Sequence, residues 1–136
     1  MRDLLCIAGV VLAGCAAHAP PGATPKLAGT SWRLVDLSGT PALAEPQATI
    51  SFPEEGRVAG GASCNRFFGS ATITGDAIAL GSLGATKMAC PGPIMDQEKR
   101  YLEALGNATR FSIEGTTLTI WTKGSDKPLT FTREAS

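Results

Sequence analysis

The residues able to do chemistry are few: four cysteines and one histidine, together with a polar cluster that follows a glycine pair. Cys15 closes the run Leu12-Ala13-Gly14-Cys15, behind a charged start and an apolar stretch too short to span a bilayer. Small residues in that order before a cysteine form a bacterial lipobox, in which the thiol receives a diacylglyceryl group and the cysteine becomes the first residue of the mature protein. Two or three acyl chains hold a protein to a membrane stably, each buried CH₂ contributing about 0.8 kcal/mol, whereas one chain is marginal. Cys6 leaves with the signal peptide. Cys64 and Cys90 remain, and export carries them into an oxidising space where a disulfide is the simplest outcome. A metal or redox pair lacks both Cys-x-x-Cys spacing and a histidine to complete it, and two free core thiols are the remaining alternative. The only histidine, His18, sits in Ala16-Ala-His-Ala-Pro-Pro-Gly-Ala-Thr-Pro25, a small, proline-rich tether with no folded neighbour to orient a base or ligand.

The polar cluster lies in Gly60-Gly-Ala-Ser-Cys-Asn-Arg-Phe-Phe-Gly69. Its glycines and small residues suit a turning point at a strand end. Asn65, Arg66, Phe67 and Phe68 form a candidate recognition surface, the guanidinium fork suiting a carboxylate. The structural alternative has Asn65 capping a turn and Arg66 paired with an acidic neighbour. Phe67 and Phe68 point to opposite faces of an extended chain, one to the core and one to the rim. Ser31, Ser63 and Ser70 have no histidine to activate them. Asp96, Glu98 and Glu103 read as a solvated helix face beside Lys99 and Arg100. The sequence therefore offers no catalytic set, metal site or cofactor site.

These residues must be positioned by short extended segments. The chain of 136 residues suits one domain, and its 16 glycines and nine prolines among many Thr, Ile, Val and Leu imply frequent turns. Twelve basic and 12 acidic residues cancel, which leaves no nucleic-acid footprint. Trp32 and Leu34, with Asp36, alternate with Arg33, Val35 and Leu37 in a first strand. Thr40 to Gln47 reads as loop. Ala48, Ile50 and Phe52 mark a second strand, and Arg57 to Ala62 returns as a third after the Pro53-Glu-Glu-Gly56 turn. Ser70–Thr74 and Ala77–Leu80 form a hairpin around Gly75-Asp76. Gly84 to Cys90 is extended. Ile94, Met95, Tyr101, Leu102 and Leu105 recur at helical spacing, predicting a helix from Pro93 to Leu105 with Asp96 and Glu98 at its positive end and a left-handed stop at Gly106. Thr109–Ile113, Thr117–Thr122 and Leu129–Arg133 complete a meander. The predicted class is α+β, mainly β: an antiparallel, partly barrel-like curled sheet of about eight short strands with one amphipathic helix.

The Gly29-Thr-Ser-Trp32 strand, the Gly-x-x-x-Cys-Asn-Arg-Phe-x-Gly motif over Gly60–Gly69 and the Thr-x-Met-x-Cys motif over Thr86–Cys90 together resemble the META domain, or HslJ-like, lipoprotein family. The resemblance covers the whole body. It implies a small antiparallel, partly barrel-like domain found in envelope lipoproteins linked to heat induction and novobiocin resistance, with no defined biochemical activity. The expected organisation is a signal peptide over residues 1–14, a lipidated Cys15 with its tether over 15–26, and a META-like domain over 27–136. The expected function is non-enzymatic support of envelope integrity or drug resistance. A binding or inhibitor module holding a hydrophobic ligand or an exported protein is the alternative. The protein is expected to be a monomer on the periplasmic face of the outer membrane, because Ala16 and not Asp follows Cys15, held by acyl chains on Cys15 and bound to no nucleic acid.

Overall fold

The computed structural model describes residues 26–134. The signal peptide, Cys6, Cys15 and the tether with His18 lie outside them. Within the described residues the chain forms nine antiparallel strands and a helix: β1 (Thr30–Leu37), β2 (Thr40–Pro41), β3 (Thr49–Phe52), β4 (Arg57–Gly61), β5 (Arg66–Thr74), β6 (Ala77–Ala85), α1 (Gly92–Gly106), β7 (Ala108–Glu114), β8 (Thr117–Thr122) and β9 (Leu129–Arg133). β1 pairs with both β2 and β3, sequential neighbours pair from β3 to β9, and β9 also pairs with β1 from Trp32↔Arg133 to Leu37↔Leu129, so eight strands close into a barrel with β2 appended outside the ring. The class expected from the alternating pattern is the one found, with the curl carried to full closure. Closure removes the exposed sheet edges that an open sheet of this composition would carry.

Several local expectations need correction. A register shift between Leu34 and Asp36 advances the alternation by one, so Leu37 and not Asp36 enters the core. Asp36 instead turns its carboxylate to the Gly39 N–H at 2.6 Å, closing the turn from which β2 returns, where unbroken loop was expected. The glycine-rich segment is more regular than its composition suggested. Gly60 pairs with Phe67 and Gly61 with Arg66, so β5 starts at Arg66 instead of Ser70, and β6 runs on to Ala85 to match it. Gly60 is required there for a packing reason: a Cβ would collide with the Thr49 carbonyl and stand 2.9 Å from the Phe67 ring.

Inward positions of the barrel carry Trp32, Leu34, Ile50, Phe52, Val58, Phe67, Phe111, Leu118, Ile120, Leu129 and Phe131, all buried. Side chains fill the interior, as expected for a barrel of this strand number. The Trp32 indole N–H is satisfied by the Thr30 hydroxyl at 2.7 Å, which donates in turn to the Leu27 carbonyl. Arg133 lies over the Trp32 ring, 4.7 Å from its centroid.

α1 covers one end of the barrel. It begins without a side-chain cap and with Pro93 in its first turn, where the missing N–H costs nothing. The expected acidic complement is absent from that turn. Gly106 does not make the expected left-handed stop. Asn107 ends the helix, its backbone N–H bonding the Ala104 carbonyl and its side-chain amide the Glu103 carbonyl.

Candidate functional site

The two cysteine-bearing motifs and the helix meet at that covered end. Cys64 and Cys90 are bonded, with S–S 1.99 Å and Cα atoms 6.0 Å apart. The bridge ties the β4–β5 connection to the strand-like segment that enters α1, and next to it Asn65 organises everything within reach.

The Asn65 amide is placed where a neighbouring peptide would be in a sheet. Its Oδ1 accepts the Met88 N–H at 2.6 Å and the Thr86 hydroxyl at 3.0 Å. Its Nδ2 donates to the Met88 carbonyl at 3.1 Å and to Glu98 Oε2 at 2.7 Å. Both amide hydrogens and both oxygen lone pairs are therefore used. Aspartate lacks the donors, which explains why the position needs an amide. Glu98 Oε1 accepts the backbone N–H of Asn65 at 2.6 Å, making the carboxylate a two-point clamp, and the Thr86 hydroxyl accepts the Arg66 N–H at 3.1 Å. Charge-assisted bonds of this kind are short and strong, and they offset the burial of an ionised group. Asn65 and Glu98 are 3% and 5% exposed, so no external partner reaches either.

Gln97 reinforces the same junction. Its Oε1 accepts the Leu43 N–H and its Nε2 donates to the Ser63 hydroxyl at 2.6 Å. Ser63 has φ +91°, a left-handed conformation that a residue with a Cβ avoids, and it is held there between the disulfide, the Gln97 bond and the Ala62 N–H to Asn65 carbonyl bond.

Of the four residues expected to present a recognition surface, the structure turns two inward. Asn65 is consumed by the clamp, and Phe67 packs edge-on against Tyr101 with ring centroids 5.9 Å apart. Arg66 and Phe68 are exposed. Arg66 has no acidic partner among the described residues, where the sole ion pair joins Arg57 to Glu54. The solvated-face reading fails for Glu98, though Asp96 and Glu103 are exposed as expected. Gln97 and Glu98 precede Tyr101 by four and three residues and Leu105 by eight and seven. They occupy the buried helical stripe, and that spacing was the signal available to find them.

Tyr101 sits at the centre of the helix face, fully buried, its hydroxyl donating to the Thr49 carbonyl at 2.9 Å. Burial raises its phenol well above the usual range. The folded state thus binds this proton more tightly than the unfolded chain, so the contribution is complete below about pH 10 and is lost as pH rises further. Tyr101 is the only tyrosine. An absorbance titration at alkaline pH is expected to show no phenolate until the barrel unfolds; a smooth reversible titration near pH 10 in folded protein would refute its burial.

Among the described residues no cluster of His, Cys, Asp and Glu could hold a metal, and no helix is long and apolar enough to cross a membrane. At the barrel end away from α1, a half-open cleft of about 440 Å³ is lined by Leu27, Phe52, Ala71 and Ile73, with Lys26, Glu54, Glu55 and Arg57 on its rim.

A helix-covered antiparallel barrel whose two cysteine motifs interlock through a disulfide and an Asn–Glu clamp defines a small stapled β-barrel domain. Its sequence matches the META domain family over residues 25–136, and the chain belongs to that family. It is similar to an NMR structure of a protein from Burkholderia xenovorans, at 27% identity over 91% of this chain and 97% of that one, with a TM-score of 0.69. A second NMR structure is 25% identical over 78% of this chain and 90% of its own, with a TM-score of 0.64. The crystal structure of a DUF4847 family protein from Bacteroides vulgatus shares the fold, with a TM-score of 0.59 at 16% identity over 81% of this chain and 96% of that one. No curated protein matches the chain.

Proposed function

We propose that this protein is a non-enzymatic, lipid-anchored component of the bacterial cell envelope that supports envelope integrity under heat or drug stress. The observation that carries the non-enzymatic part is how the polar groups at the motif junction are used. Asn65, Thr86, Gln97 and Glu98 bond one another and nearby backbone groups, which suits a fold built to persist in an oxidising space. The anchored part rests on the Leu12-Ala-Gly-Cys15 lipobox and the tether behind it. Membership of the META domain family supports the non-enzymatic, envelope-associated part.

Cys15→Ala is expected to accumulate as unprocessed precursor that incorporates no fatty-acid analogue, while the wild-type chain is labelled and fractionates with membranes. Absence of label on the wild type would refute the anchor. In a strain lacking the protein, sensitivity to detergent and to novobiocin should be restored to normal by the wild type and not by an exported form without Cys15. Full rescue by the unanchored form would remove membrane tethering from the function.

A second reading is favoured by the cleft at the open barrel end, where Ile73 is 40% exposed beside buried Phe52 and Leu27. There the domain would hold a small hydrophobic ligand with a polar end, and native mass spectrometry of protein from envelope extract would show the added mass.

A further inference from the structure

The two most exposed large hydrophobic side chains among the described residues are Phe68, 56% exposed, and Met88, 58% exposed. They occupy the two segments that the disulfide joins. Phe68 is on β5, its ring lying along Gly84 of β6, where a Cβ would come within 3.0 Å of it. Met88 lies two residues beyond Thr86, whose N–H and hydroxyl bond the Arg66 backbone on either side. Exposed cations flank both: Arg66 two residues before Phe68, and Lys87 beside Met88. Arg33 continues the basic row across the outer wall, being paired with Thr49, whose hydroxyl accepts the N–H of Gly61, itself paired with Arg66. The strands β3, β4, β5 and β6 contain no Asp or Glu, while at the far end of the row Asp36 on β1 accepts the Gly39 N–H and Glu134 adjoins Ser31.

We infer that this corner of the barrel, Phe68 and Met88 with Arg66 and Lys87 beside them and Arg33 farther along the same outer wall, docks the domain against an anionic lipid surface. Two apolar side chains projecting from a rigid, disulfide-tied corner can enter the headgroup boundary at little ordering cost, while the surrounding cations meet lipid phosphates. A neutral surface would satisfy the apolar pair and leave the cations without partners, whereas an anionic bilayer meets both. The contact does not need acylation at Cys15; given the lipid anchor proposed above, it would fix which face of the barrel meets the membrane.

The test uses the chain from Ala16 onward, which keeps the whole core from Leu27 to Phe131 and carries no acyl chain. Sedimentation with vesicles of phosphatidylcholine, with and without phosphatidylglycerol, should show binding to the anionic vesicles only, weakening as salt rises. Phe68→Ser with Met88→Ser should weaken it about tenfold or more. Arg66→Ser with Lys87→Ser should weaken it about twentyfold or more, each cation near a charged bilayer supporting about fivefold. These side chains are exposed, so unchanged thermal unfolding will certify the fold of each variant. No binding by the wild type, equal binding to neutral vesicles, or binding unmoved by both variants would overturn the inference. Concentration-dependent self-association abolished by the same substitutions would overturn it too, by assigning the corner to a second copy of the chain.

Discussion

Cys64→Ser with Cys90→Ser is expected to lower the unfolding free energy by about 3 to 4 kcal/mol, the chain-entropy value for a closed loop of this length. The cysteines are 26 residues apart, and the loop between them contains all of β5 and β6. Domains of this size have about 5 to 15 kcal/mol in total, so the loss is a large share. Urea unfolding with and without reductant should show the midpoint falling in wild type and unmoved in the double variant. The loss also has a local form: Ser63 relaxes from its left-handed backbone once the bridge is gone. Hydrogen exchange should therefore quicken first at Ala62 to Asn65 and at Thr86 to Cys90, before β8. A drop below about 1 kcal/mol would show that the remaining polar bonds already hold the junction alone.

Asn65→Ala should cost about 2 to 4 kcal/mol, because it strips four side-chain hydrogen bonds at once and leaves the buried Glu98 carboxylate with one of its two donors. Asn65→Asp should be worse at neutral pH, since it sets a second carboxylate against Glu98 where an N–H stood. Glu98→Ala should cost as much as Asn65→Ala, and the double variant clearly less than the sum, because each single change orphans the other's partner. Strict additivity in that cycle, read from thermal or urea unfolding, would refute the clamp.

Much of the barrel was legible because alternation is a short-range signal. Ala48, Ile50 and Phe52, or Leu118 and Ile120, declare their inward face without reference to anything distant. Closure was only half legible, since pairing β1 with β9 depends on the accumulated twist of the whole sheet and not on any one segment. The disulfide could be argued from compartment and parity, but its setting could not. Glu98 lies on a helix beside Lys99 and Arg100, and in sequence a charged residue there reads as solvated. Only the arrival of Asn65 from the β4–β5 connection, 33 positions away, turns that carboxylate inward. The two motifs were visible as motifs. That one Asn side chain in the first serves as the sheet partner of Met88 in the second requires coordinates.

Pairing of β1 with β9 also governs when this domain can exist as a folded object. Thr30–Leu37 lines the same seam as Leu129–Arg133, so the first strand in the sequence waits for the last before the ring can shut. Until then Trp32 and Leu34 lack the wall that covers them. Long-range closure of this kind delays commitment to the fold until the final strand is available, which would suit the exported chain proposed above.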